Sequence, residues 1–72
     1  MVSKEFKVHG KSYIAVKYNS NRYGVLDKDT NLPVSNMKGI AREYLTKFNI
    51  PVSTDPKIIN TYRAIKLLME HC

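Results

Sequence analysis

Cysteine is nearly missing from this chain: one thiol in 72 residues, at position 72, and no tryptophan. A single cysteine cannot close an internal disulfide, so no covalent staple holds the fold, and this usage fits a reducing compartment. Long hydrophobic runs are missing too. Nothing approaches the roughly 18–20 apolar residues that span a bilayer. The opening Met1-Val2-Ser3-Lys4-Glu5 lacks the apolar stretch of a secretory signal. The expectation is a soluble cytoplasmic protein with no membrane partner. The three glycines, at 10, 24 and 39, are isolated, which excludes a glycine-rich phosphate loop. No repeat, linker or low-complexity segment is present.

Acid is the scarcer charge. Six Asp plus Glu stand against 12 Lys plus Arg, a net +6, spread evenly along the chain rather than gathered in a tail. Nucleic acid or an acidic protein surface suits such a balance. Lys, Asn, Ile and Tyr make up 26 of the 72 residues. Their codons are AT-rich, which associates the chain with an AT-rich genome such as that of a phage or mobile element. A phage origin would place it in the host cytoplasm.

Catalytic and metal constellations are lacking. His9, His71 and Cys72 do not share a ligand spacing, and no CxxC or HExxH pattern occurs. Asp27 and Asp29 read as turn residues and Asp55 as a helix cap. A chain of this length seldom encloses a catalytic pocket. The expectation is a protein that is not an enzyme and carries no metal or cofactor.

What is present is a change of hydrophobic period at Ser35. Before it, apolar residues alternate; after it, they recur every three to four positions. This predicts one α+β domain over 1–72: a three- to four-stranded antiparallel meander at 3–34, then amphipathic helices at 35–49 and 55–70, packed on one face. Pro33 limits the fourth stretch, Leu32-Pro33-Val34. The first loop sets the register. A two-residue turn at His9-Gly10 would place Phe6 opposite Tyr13 and throw Ile14 to the other side. A three-residue loop, Val8-His9-Gly10 or His9-Gly10-Lys11, keeps Phe6, Ile14 and Val16 together and is the expectation. A four-residue turn at 19–22 then sets Tyr18 beside Tyr23 and Val16 beside Val25. The expected core face is Phe6, Val8, Ile14, Val16 and Tyr18 with Tyr23 and Val25. The outer face carries Lys7, Lys11, Tyr13, Ala15 and Lys17, then Leu26 and Lys28.

In the helical half, Ser35 or Asn36 caps a first helix whose stripe is Met37, Ile40, Ala41, Tyr44, Leu45 and Phe48. Glu43 and Lys47 form an i,i+4 pair. Asn49 ends the helix and Pro51 blocks its continuation. Thr54 or Asp55 caps the second helix, with Pro56 at its first position. Its buried face centres on Ile58, Tyr62, Ile65 and Met69, flanked by Ile59 and Leu68. Gly39 falls on the outer face of the first helix. The connection of about six residues, with a proline and no glycine, suits a packed helical hairpin better than a helix–turn–helix.

Two functional readings follow. In the first, the protein is a small basic accessory protein that binds nucleic acid through its outer sheet. Lys7, Lys11, Lys17 and Lys28 would contact phosphate, Tyr13 would be the stacking ring, and Lys38 and Arg42 would be secondary contacts. In the alternative, it is a phage-type modulator that grips an acidic host protein. Leu67 lies opposite the buried face of the second helix. It is either a lone exposed leucine or a two-fold homodimer contact in which Arg63 approaches Glu70 of the second chain.

Overall fold

The computed structural model describes residues 2–50 and 61–71, the side chains of 61 and 62 aside. Strands β1 (Val2–Val8), β2 (Lys11–Asn19) and β3 (Arg22–Asp27) form an antiparallel sheet in the order β1-β2-β3, followed by helices α1 (Met37–Lys47) and α2 (Thr61–His71). The layout is α+β, as the change of period implies. The helices pack on one another, α1 against β1 and α2 against β3 and β2. Leu32–Val34 does not become a fourth strand. It makes a single bridge, Leu26 to Pro33, in which the Asp27 N–H donates to Leu32 O (2.9 Å) and the Val34 N–H to Val25 O (3.1 Å).

The first hairpin has a two-residue turn, and this corrects the expected register. His9 and Gly10 both have positive φ, at 52° and 78°, which makes the turn type I′, the geometry whose twist matches the flanking strands. Histidine tolerates the left-handed region better than most residues and glycine enters it without penalty. Phe6 therefore pairs with Tyr13, and Glu5 with Ile14. Every side chain of β2 is on the opposite face from the expectation. Ala15, not Ile14, lies in the core, fully buried, while Val16 is buried on the outer face, apart from the core cluster. Tyr13 packs against the core and Tyr18 is 44% exposed.

The second hairpin restores the expected faces of β3. Asn19 pairs with Arg22 and Lys17 with Tyr23, so Tyr18 is an extra residue in a β-bulge. The Asn19 side chain accepts the Asn21 N–H (2.9 Å) and stabilises the turn. Val25 stands opposite Ala15 rather than Val16. Tyr23 and Val25 face the core as expected, together with Phe6 and Val8.

Helix α1 begins at Asn36, whose side chain accepts the Gly39 N–H and satisfies one of the orphan donors of the first turn. A Cβ on Gly39 would meet that side chain at 2.5–2.8 Å, so the glycine makes room for the cap. The helix ends as Asn49 takes a positive φ of 56°. The Asn49 N–H bonds Thr46 O and the Ile50 N–H bonds Leu45 O, a Schellman closure. Phe48 sits at this cap and is 44% exposed, so it leaves the buried stripe to which its spacing assigned it. Glu43 bonds His9 rather than Lys47.

Ala41, Tyr44 and Leu45 of α1 meet Ala64, Ile65 and Leu68 of α2 in one core cluster with the sheet. Leu45, Ile65, Leu68 and Val25 are fully buried, and each contributes roughly 1.5–3 kcal/mol. Leu67 is half-buried against the same cluster rather than standing fully exposed opposite it. The second-helix cap at Thr54 or Asp55, Pro56, Ile58, Ile59 and the Tyr62 side chain lie outside the described residues, as do Pro51 and Cys72.

Candidate functional site

The reversed β2 face redistributes the cations. At one end of the sheet, where β1 ends, β2 begins and β3 ends, Lys11 and Lys28 have carboxylate partners, while Lys7 on the outer face enters none of the ion pairs among the described residues. Lys11 Nζ lies 2.8 Å from Asp27 Oδ2. The Lys11 ammonium, together with a donated Asp29 N–H, holds the Asp27 carboxyl below its ordinary pKa, and the same carboxylate raises that of Lys11. Lys28 pairs with Glu5, which raises the lysine pKa. His9 Nε2 lies 2.9 Å from Glu43 Oε2 and ties the first turn to α1.

The opposite end is different. Val2 and Lys4 of β1, Lys17 and Tyr23 of β2 and β3, and Lys66 of α2 line a groove of about 220 Å³, with Glu70 as its one carboxylate among the described residues. Lys17 projects to the helix side only because of the type I′ turn, and its ammonium stands 5.9 Å from the Tyr23 ring centroid. Among the described residues, the ion pairs involve none of Lys4, Lys17, Lys66 or Arg22. Side chains with few carboxylate neighbours sum to a positive potential that a concave, low-dielectric wall concentrates.

Next to this groove, a cleft of about 430 Å³ opens along the edge of β3, lined by Tyr18, Asn19, Arg22, Tyr23, Pro33 and Met37 among others. The cleft exists because the 32–34 segment pairs beside Val25 and Leu26 and then turns into α1, leaving the start of β3 uncovered. Met37 Sδ accepts the Val25 N–H at 3.2 Å and closes the cleft's inner end.

The residues expected to form a nucleic-acid face are therefore divided. Lys7 stays on the outer face, and Lys28 lies there in its pair with Glu5. Lys11, Tyr13 and Lys17 point to the helix side. Tyr13 stacks on Phe6 (centroids 5.6 Å apart, planes 27° apart), and Phe6 meets Tyr44 edge-on at 5.4 Å, so Tyr13 serves the core rather than offering a free ring. Arg42 is exposed and Lys38 half-buried on α1, away from the groove. Of the expected set, Lys17 alone lines the cationic groove. Lys4, Arg22 and Lys66 were missed, and so was Tyr18, which replaces Tyr13 as the exposed ring of β2. The His9-Gly10 pair read as a type I′ turn could have found the new faces of Lys17 and Tyr18; Lys4, Arg22 and Lys66 carry no such local signal.

Among the described residues, no three His, Cys, Asp or Glu side chains gather as metal ligands would. His71 Nδ1 instead lies 3.1 Å from the Tyr44 hydroxyl, and its ring packs at 4.7 Å from Phe48. Among the same residues, no helix is long and apolar enough to cross a membrane. The chain matches no protein-family model, no curated protein and no solved structure, so only the surface itself bears on function.

Proposed function

We propose that this protein is a small basic accessory protein that binds nucleic acid, and that it does so with the end of the sheet where Lys4, Lys17 and Lys66 converge. The observation that carries this reading is the convergence of cations. Lys11 and Lys28 are matched by Asp27 and Glu5, whereas the groove, among the described residues, brings three lysines together around one glutamate. Phosphate contact of this kind is independent of sequence and releases counterions.

The experiment is retention on heparin, followed by titration of a labelled oligonucleotide at several salt concentrations. With three or four phosphates neutralised, log K should fall against log salt with a slope of about −2 to −4. Charge reversal at Lys4 and Lys66 should weaken binding to all sequences and flatten that slope by about one per lost contact. An absence of binding at low salt, or binding unmoved by these reversals, would refute the reading.

A second reading, a modulator that grips a host protein, is favoured by a separate observation. The outer sheet face carries Ile14, Val16 and Leu26, and the neighbouring Leu32 is 63% exposed. Capture of a protein that survives high salt and is lost in Leu32→Asp would favour this reading over the first.

A further inference from the structure

The two hollows flanking the start of β3 share Tyr23 in their lining. We infer that together they form one path for a single-stranded nucleic acid, in which a base stacks on Tyr18 beside Arg22 and the neighbouring phosphates fall to Lys17, Lys4 and Lys66. This rests on the nucleic-acid reading above and specifies its ligand.

Three features of the molecule point to a single strand. The first is the presentation of Tyr18. The β-bulge makes it an extra residue, and its ring lies across Gly24, where a Cβ would meet Tyr18 Cε2 at 3.1 Å. A glycine floor keeps the ring close to the sheet and in a defined orientation, while it stays 44% exposed. The second is Arg22, whose guanidinium stands over the Tyr18 ring, 5.8 Å from its centroid. An entering unpaired base takes that place on the ring and leaves the guanidinium for the adjoining phosphate. The third is the placement of the cations. Arg22 lies at the cleft on the open edge of the sheet, and the three lysines lie in the groove under α2. A flexible chain that bends around the sheet end can visit both, whereas a stiff duplex could follow the same bend only at the cost of deforming it. The cleft volume, about 430 Å³, falls in the range of small-ligand sites, roughly 300–1,000 Å³, and admits a nucleoside-sized group.

The test is fluorescence anisotropy with a labelled oligothymidylate of about 12 nucleotides, a blunt duplex of equal length and poly-glutamate as a third ligand. The wild type should prefer the single strand. Tyr18→Ala should weaken oligothymidylate binding by about 5- to 150-fold, the loss of one stacked base, with the salt slope unchanged. Lys17→Gln should lower the slope. Tyr18→Leu preserves apolar cover over Gly24 while removing the aromatic face, so it should lose binding as Tyr18→Ala does even if the alanine variant is poorly folded; Tyr18→Phe should retain it. If single strand and duplex bind alike and Tyr18→Leu binds like wild type, the single-strand inference falls while nucleic-acid binding stands. If neither oligonucleotide binds at low salt, or poly-glutamate alone does, both fall.

Discussion

Replacing Ile14 by threonine and Ala15 by aspartate should affect stability in opposite order to what side-chain size suggests. Ile14 is half-buried on the outer face, paired with Glu5 and Leu26. Complete burial of an isoleucine contributes roughly 1.5–3 kcal/mol, so a half-buried one contributes about 1 kcal/mol. Threonine keeps the β-branch that suits a strand. Ala15 is fully buried, opposite the equally buried Val25. A carboxylate there would be taken fully out of water within an apolar cluster and costs several kcal/mol. For 72 residues the whole stability should be about 4–11 kcal/mol. Urea denaturation followed by circular dichroism separates the cases. With a slope near 1 kcal/mol/M, Ile14→Thr should lower the midpoint by about 1 M, whereas Ala15→Asp should leave little or no folded baseline. A tolerated Ala15→Asp alongside an unfolded Ile14→Thr would refute the register and restore a three-residue first loop.

Ile65→Ala and Leu68→Ala, both at fully buried positions, should each cost about 2–5 kcal/mol in the same assay. Asn36→Ala should cost about 1 kcal/mol through the lost cap. Gly39→Ala should fail to yield its usual helix-propensity gain of about 1 kcal/mol because its Cβ displaces the Asn36 side chain; the gain should reappear in the Asn36→Ala background, measured as a double-mutant cycle. The Asp27 carboxyl is held below its ordinary pKa by Lys11 and the Asp29 N–H. Its contribution should thus be full above the ordinary carboxylate range and lost as pH falls through the lowered folded value. Asp27→Asn should flatten that acid limb in a series of urea midpoints taken across pH.

The apolar outer face gives the molecule a second character beside its cationic end. Val16 is 2% exposed although it lies away from the helices, while Tyr18 lies over Gly24. Among the described residues, both helices join the core cluster on the opposite face of the sheet. The lysine–glutamate pair at its margin, Lys28 with Glu5, is a solvated pair of small energetic weight. Charged residues on a sheet face also discourage edge-to-edge association.

The order of elements was legible from Phe6 to Leu68, because strand and helix periods differ and period is a local property. Most of the first helix's buried stripe could be read for the same reason, Phe48 excepted, as could Ile65 and Leu68 of the second, the cap at Asn36 and the stop at Asn49, which depend on side chains within one turn of the backbone they satisfy. Gly39 was placed on the outer face, but its reason, room for the Asn36 side chain, appears only in three dimensions. The faces of β2 were not legible. Alternation gives two equivalent registers one residue apart, and choosing between them by hydrophobicity favours Ile14 over Ala15. The backbone of His9-Gly10 chose otherwise: a tight left-handed turn matches the strand twist, and a small residue at 15 lets α2 approach the sheet. From that one-residue choice follow the burial of Tyr13, the exposure of Tyr18 and the turn of Lys17 toward the groove. Composition determined that the chain is basic and without an internal disulfide, and local spacing that it is built from a sheet and helices, since these depend on residue counts and on neighbours in the chain. Which cations are neutralised and which converge was decided only by the tertiary structure, because Lys4, Lys17 and Lys66 become neighbours through strand pairing and helix docking across more than 60 positions of chain.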